Sequence, residues 1–440
     1  MYRVKEGDRE GVVFLNKDDL FGDVNTMRQI RRMIQDPTVD HARIMPDCHV
    51  GQGCCVGFTS RLTDKIVPRF IGGDIGCGMM VHPVSRHKEH GEKLDVKAKK
   101  MRSRIPVGDA MHPEGVDNTE AIAAVYKEAI EVARKFGQAW HYNDEYLAAL
   151  CQRIGITEDR VRRQLGTLGG GNHFLEMGTD DADACPSRMD GMYYVTVHSG
   201  SRGLGQAVCR FHQDIITKRT KGDHHAYEKE VRKMEKKIKD KKQRKEADDA
   251  LRAKYLQPKG PAYLEGDEAM AYYYDMIFTQ SYARINRWVM LTEMMEVTRF
   301  PVYPDKMMES VHNYIDFEDR VWRKGAVRAH KGEPVIVALN MRDGIAIGVG
   351  EGDLEWNQSA PHGAGRRIPR GEAKLHTSMS EFRKAMEGVP AATVIPETLD
   401  ESPAMYKDGD FVLDRSVATF RVTKRVRPVL NIKGYERSKK

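Results

Sequence analysis

The sequence predicts an α+β fold, with strands and helices in a complex mixed arrangement, and three observations carry that expectation. Short β-branched runs bounded by glycine, proline and polar residues read as strands at Tyr193–His198, Pro334–Leu339, Ile345–Val349 and Thr419–Leu430. Apolar residues at helical spacing mark helices over residues 119–136 and 267–299. The two kinds of segment do not alternate one for one, so a doubly wound parallel sheet is not the expectation.

In the first helix Ile122, Val125, Ala129, Ile130 and Ala133 share a face, with Asn118 or Thr119 as N-cap. The second is rich in Met, Tyr and Trp, which read as core rather than as a cofactor box. From Glu228 to Lys254 twelve Lys/Arg stand against seven Asp/Glu, which is most of the excess in a chain of net charge +7. Val231, Met234 and Ile238 recur there at i, i+3 and i+7, so the stretch reads as one helix with a thin apolar stripe. It is either a solvated, salt-bridged helix or an arm that tracks the phosphates of a nucleic acid, and composition does not choose. Tandem repeats and Pro- or Ser-rich linkers are absent. We therefore expect one large domain over residues 1–440, with residues 220–258 as a charged helical insertion.

Composition narrows the class. Hydrophobic residues make up 40% and charged residues 31% of the 440 residues, which is enough to build a core and excludes a wholly disordered chain. No run approaches the ~18 apolar residues of a membrane span. The opening Met1–Glu10 has no apolar signal-peptide region, and seven unevenly spaced cysteines are not a disulfide framework. A cytoplasmic location is the expectation.

Fifteen of the 39 glycines cluster in five polar segments: Pro46–Gly53, Gly72–Met79, Leu165–Glu176, Val197–Gly205 and Ser359–Arg366. Each sets Asp, Cys, His or Arg among glycines, whose backbone N–H groups can approach phosphate oxygens closely. None ends in the Gly-Lys-Ser/Thr of a phosphate-binding loop, and none follows a strand–turn–helix dinucleotide plan. Together they point to a phosphate site.

The same segments carry metal-ligand chemistry. Asp74 and Cys77 lie three apart in one glycine-flanked loop. His173 and His198 sit at the ends of β-like runs, and His312-Asn313 follows an apolar-flanked segment. A carboxylate, a thiolate and three imidazoles suit a divalent transition metal, and they outnumber the ligands that one tetrahedral ion takes. A thiolate can bridge two ions, so a binuclear site is one arrangement. Ordinary hydrogen-bonded histidines are the other. The affinity order alone favours zinc over manganese.

The blocks Gly-Gly-Asp-Ile-Gly-Cys-Gly-Met (72–79), Gly-Gly-Gly-Asn-His-Phe (169–174), His-Ser-Gly-Ser-Arg-Gly (198–203) and His-Gly-Ala-Gly-Arg (362–366) occur in this order. In that order they resemble the RtcB-type RNA-splicing ligases, from about Pro46 to the closing Asn431-Ile432-Lys433-Gly434. The resemblance implies a single RtcB-like catalytic domain that joins RNA 3′-phosphate or 2′,3′-cyclic phosphate ends to 5′-hydroxyl ends, using GTP and two Mn²⁺ per chain. It implies that Asp74, Cys77 and His173 hold one manganese, that Cys77, His198 and His312 hold the second, and that His362 becomes guanylylated. Asn172 would touch the nucleotide phosphate and Glu176 the guanine. Tyr406 and Lys433 would line the guanosine pocket, with Asn313, Asn340, Gly363, Ala364 and Gly365 as further nucleotide contacts. Arg202 and Arg366 would bind phosphates. An archease-like activating protein is an implied partner.

Two segments depart from the family pattern. Trp322 stands where histidine is frequent, and Leu339–Gly344 replaces a Pro-Gly-Ser-Met-Gly-like loop. Both bear on base contacts and RNA preference. Two alternatives compete with the ligase. A binuclear metallophosphoesterase acting on RNA ends needs no histidine nucleophile, and a non-catalytic RNA-binding protein needs no ligand cluster.

Overall fold

The computed structural model describes residues 1–16, 19, 23–86, 92–180, 191–222, 224–256, 260–389 and 393–435. Two sheets organise them. The larger has seven strands in the order Met308–Val311, Gly78–Ser85, Met192–Ser199, Phe174–Asp180, Phe420–Lys433, Gly344–Gly350 and Pro334–Asn340, with every neighbouring pair antiparallel. The smaller runs Tyr2–Glu6, Arg9–Val13, Asp40–His49, Val56–Arg61, Val321–Lys324 and Asn313–Asp316. Its one parallel pair, Arg9–Val13 with Asp40–His49, requires a crossover. The helix Val24–Gln35 provides it, capped by the Asp23 side chain, which accepts from Thr26 N at 3.0 Å. Met308–Val311 and Asn313–Asp316 belong to different sheets, and His312 is the one residue between them. The chain thus changes sheet at a histidine. The mixed, antiparallel-dominated architecture is the α+β class expected from sequence.

The four expected strands form, and the last runs on to Lys433. Residues 119–136 become the helix Thr119–Lys135, which buries Ile122, Val125, Ala129 and Ala133. Asn118 occupies its N-cap position, but the Asn118 amide donates to Arg162 O at 2.7 Å instead of capping, and Asp117 accepts from Thr119 N.

The second long helix spans Gly266–Thr298, 33 residues or about 50 Å. Its first half packs Tyr272, Met276, Phe278 and Tyr282 into a core shared with Ile122, Val125 and Leu147. Its second half packs Met290, Met294 and Met295 against Leu175, Val195 and Val197 of the seven-stranded sheet. Each such buried side chain contributes about 1.5–3 kcal/mol. The aromatics are core, as expected.

The basic stretch is not one helix. It folds as His224–Lys237 and Lys241–Tyr255, with Asp240 capping the second through Lys242 N and Gln243 N at 3.0 and 2.9 Å. Val231, Met234 and Ile238 are half-buried, and the two helices pack on each other. Neither helix has a buried residue. Within the expected 220–258 insertion, residues 223, 257 and 258 lie outside the described residues. Among the described residues no helix is long and apolar enough to cross a membrane.

Candidate active site

The five glycine-rich segments converge on one cleft of about 1060 Å³, except that Arg202 turns away from it. The long helix supplies the foundation. The Asn286 side chain accepts from Gly166 N and Thr167 N at 2.7 and 3.1 Å and donates to Gly200 O at 3.0 Å. Its neighbour Arg287, fully buried, donates to Gly76 O and Ser199 O at 2.6 and 2.9 Å and ion-pairs Glu309 at 2.7 Å. Two adjacent side chains thereby hold the loops that carry Asp74, Cys77, His173 and His198. Glycine is required where these loops touch. A Cβ on Gly76, at φ +71°, would lie 2.9 Å from Ala283 Cβ, and one on Gly200 would lie 1.9 Å from Asp74 Oδ1.

The expected ligands meet. Asp74 Oδ2 lies 3.0 Å from His173 Nε2, Cys77 Sγ lies 3.5 Å from His173 Nε2 and 3.4 Å from His198 Nε2, and His198 Nε2 lies 3.3 Å from His312 Nε2. They form two groups, Asp74–Cys77–His173 and Cys77–His198–His312, that share the sulfur. His173 Nδ1 donates to Leu168 O at 2.9 Å and His198 Nδ1 to Asn172 O at 3.2 Å. Those carbonyls can only accept, so the protons sit on Nδ1 and the Nε2 lone pairs point inward. A thiol with an imidazole nitrogen on either side, and a carboxylate and a third imidazole within reach, is a donor set that fits metal ions.

Charge agrees with that geometry. Burial, then His173, pushes His198 well below the ordinary histidine range, and burial, then His362, does the same to His312. Burial and the Asp74 carboxylate push the Cys77 thiol well up. Burial alone would raise Asp74, but His173 holds it below the usual carboxylate range. His198 and His312 are therefore neutral donors, and an ion that binds the sulfur displaces its proton.

His362 follows the short strand Ser359–Pro361, its ring centroid 4.8 Å from that of His312. Its Nδ1 lies 2.7 Å from Oδ2 of Asp47, which is fully buried in the strand Asp40–His49. A carboxylate on Nδ1 leaves the Nε2 lone pair free. Asp47 was not among the residues expected at the site. It stands in the segment Pro46–Gly53, which sequence had singled out, but its partner lies 315 residues away.

At the other side of the cleft, Glu176 is buried and accepts from Asn431 Nδ2 at 2.7 Å, while its second oxygen has no partner. Burial pushes its carboxyl up to about 8 against the opposing pull of Asn431 and Lys433. Lys433 and Tyr406 meet on Glu401, at 2.8 and 2.5 Å, and Arg366 and Arg370 reach the same carboxylate at 3.2 and 2.5 Å. Burial would raise Glu401, but Lys433, Arg370 and Arg366 hold it down to about 2. Burial and the Glu401 charge push the Tyr406 phenol well above its ordinary value. Glu401 belongs to no motif, and only the fold reveals it.

The other expected residues differ in what they present. Asn172, Asn313, Gly363, Ala364 and Gly365 line the cleft. Asn313 Oδ1 already accepts from Gly325 N at 3.0 Å, and Gly363 N points at Asp47 Oδ2 at 3.4 Å. Asn340 lines the cleft too, but its side chain closes its own turn, accepting from Arg342 N and Asp343 N and donating to Asp343. Arg366 donates to Asp400 O at 2.6 Å and stacks over Tyr406. Arg202 does not line the cleft; it binds Thr167 Oγ1 and Gly108 O at 3.0 and 2.7 Å beneath the loop before His173. Trp322 is also elsewhere. It is fully buried, stacked on Phe58 at 5.4 Å and beside Phe70 at 5.9 Å, so this departure concerns core packing and not base contacts.

Two ligand groups sharing one thiol, opening on a cleft with cationic and acidic walls, have the chemistry of a metal-dependent enzyme that handles phosphates. Comparison with known proteins specifies the class. A family profile described as tRNA-splicing ligase RtcB matches residues 29–434. The RNA-splicing ligase RtcB of Escherichia coli K12 is 28% identical over 412 residues, covering 90% of each chain. The tRNA-splicing ligases RtcB of Nanoarchaeum equitans and Aeropyrum pernix are each 26% identical, covering 93% of each chain. The chain belongs to the RtcB family of RNA ligases.

Proposed function

We propose that this chain is a GTP- and manganese-dependent ligase that joins RNA 3′-phosphate or 2′,3′-cyclic phosphate ends to 5′-hydroxyl ends through a guanylylated His362. The observation that carries the reading is the Asp47–His362 pair at 2.7 Å, beside the ligand cluster. Asp47 holds the proton on Nδ1, so the neutral ring presents the Nε2 lone pair to the α-phosphorus of GTP. The Nε2–P bond forms, pyrophosphate leaves, and the ring of the phosphoramidate becomes cationic, a charge that the adjacent carboxylate compensates. The RNA 3′-phosphate then takes GMP from His362, giving an RNA–pp–G end. The incoming 5′-hydroxyl attacks that RNA phosphate and releases GMP. A cyclic phosphate end is hydrolysed to the 3′-phosphate beforehand.

Asp74, Cys77 and His173 would hold one manganese, and Cys77, His198 and His312 the other; bound there, the ions neutralise phosphate charge and orient the leaving group. The choice of manganese over zinc comes from the family resemblance, not from the donor atoms. Glu176, as a carboxylate, accepts the two N–H groups of the guanine edge; adenine offers an unprotonated nitrogen there instead, so the site selects GTP over ATP. Tyr406 and Lys433, fixed by Glu401, close the nucleoside pocket, and Arg366 on the same carboxylate faces phosphate. A single catalytic domain carrying the helical insertion, a cytoplasmic setting and an archease-like activating partner complete the reading.

The test is labelling. Wild type incubated with α-labelled GTP and Mn²⁺ should retain label through denaturation, in an acid-labile, base-stable linkage. His362→Ala should retain none while keeping its fold. A labelled His362→Ala protein refutes the assignment of the nucleophile. A metallophosphoesterase would have no use for the Asp47–His362 pair and would show no adduct at all.

A further inference from the structure

We infer that the tip of the helical hairpin is an RNA-gripping surface, in which Lys236, Lys237, Lys239, Lys241, Lys242 and Lys245 track phosphates at a distance from the ends being joined. The identity of the polyanion rests on the ligase reading above. The surface itself rests on how charge is distributed along the hairpin.

The two helices, His224–Lys237 and Lys241–Tyr255, pack on each other. Tyr227 donates to Asp248 at 2.5 Å, and the Arg252 guanidinium lies over the Tyr227 ring. Since neither helix buries a residue, the hairpin adds almost nothing to the core, and its side chains are not committed to holding the fold. The cations fall into two sets. Toward the base three of the five are paired: Arg232 with Glu228 at 3.7 Å, Lys233 with Glu230 at 2.7 Å and Arg252 with Asp248 at 2.7 Å. At the turn they are not. The Asp240 carboxylate is occupied by the backbone of the second helix, and Arg244 is occupied by Ile238 O and Glu235 O. The six lysines are exposed, and none of them ion-pairs with Glu235, Asp240, Glu246 or any other described carboxylate. Residues 235–246 thus hold seven cations against three carboxylates in a single helix–turn–helix tip.

Such a cluster repels itself and favours a polyanion, which releases counterions on binding. A membrane surface fits poorly, because Val231, Met234 and Ile238 are half-buried and no apolar side chain is free at the tip to insert. The position also suits RNA. The 19-residue helix Arg202–Thr220 starts beside the Asp74 loop and ends at the base of the hairpin, about 28 Å away. An RNA that reaches from the joint to the hairpin therefore spans at least that distance.

The experiment measures the affinity of the full-length chain for single-stranded RNA of about 40 nucleotides against salt concentration, in wild type and in a variant with the six lysines changed to Gln. Each phosphate that the variant no longer neutralises should flatten the log–log slope by about 0.7, so three such phosphates flatten it by about 2 and weaken low-salt binding by roughly tenfold or more. Covalent guanylylation should stay unchanged, since it needs only GTP and metal. A second variant, Lys229→Gln with Arg232→Gln and Lys233→Gln, removes charge from the base and should leave the slope nearly as in wild type. Equal slopes in wild type and the six-lysine variant would overturn the inference. So would a base variant that flattens the slope as much per charge removed as the tip variant, because net charge alone would then explain both. The slopes need no catalysis, so failure of the ligase reading, seen as no GMP adduct in wild type, is separable from failure of this one.

Discussion

Replacing Asp47 with Asn isolates the contribution of one charge to His362. The substitution keeps shape and leaves a side chain able to accept from Nδ1 across the 2.7 Å contact, but it removes the negative charge. When the phosphoramidate forms, the ring becomes cationic with that charge centred about 4 Å from the carboxylate. At an effective dielectric of about 20 the interaction is about 4 kcal/mol. The neutral hydrogen bond that survives recovers about 1 kcal/mol of this. A net loss of about 3 kcal/mol corresponds to a guanylylation rate lower by about 10²–10³-fold, and the effect should fall on the rate constant and not on GTP affinity, since the proposed cationic ring arises only as the Nε2–P bond forms. The assay is single-turnover transfer of label from GTP to protein, with thermal unfolding and metal content measured in parallel. A rate within about fivefold of wild type, with fold and metal intact, would refute the electrostatic role given to Asp47.

The remaining predictions concern the cleft and the cluster. On the proposed reading guanine needs Glu176 as a carboxylate, and burial raises that carboxyl to about 8, so GTP affinity should strengthen as pH rises toward 8 and level off above it. Below that pH the loss should approach tenfold per pH unit. Titration calorimetry across pH would show it, and Glu176→Gln should abolish the pH dependence while weakening binding at high pH. Cys77→Ser replaces the shared sulfur with a poor, protonated oxygen, so metal bound per chain should fall below wild type while metal-free RNA affinity holds. Unchanged metal stoichiometry by elemental analysis would remove the bridging role.

Much of this protein was legible without the fold. Strand and helix boundaries at 193–198, 334–339, 345–349 and 267–299 follow from side-chain periodicity, which is a local property of the chain. The glycine-rich segments carried their chemistry in adjacent residues, so Asp74, Cys77, His173, His198, His312 and His362 could be singled out one segment at a time. Their family order linked them without any knowledge of distance.

What the tertiary structure decided is what depends on partners far apart in the chain. Asp47 faces His362 across 315 residues, and Glu401 gathers Tyr406, Lys433, Arg366 and Arg370 although it sits in no recognisable motif. Asn286 and Arg287 are polar residues in a core helix, and packing makes them the support for the glycine-rich loops. Trp322 fell in a family block yet points into the core, because its neighbours in the strand take the other face. The basic stretch read as one helix from the spacing of Val231, Met234 and Ile238, and only the structure shows it broken in two, with Asp240 capping the second half. Spacing along a chain fixes which face a residue occupies, whereas the partner opposite that face is set by how sheets and helices pack in three dimensions.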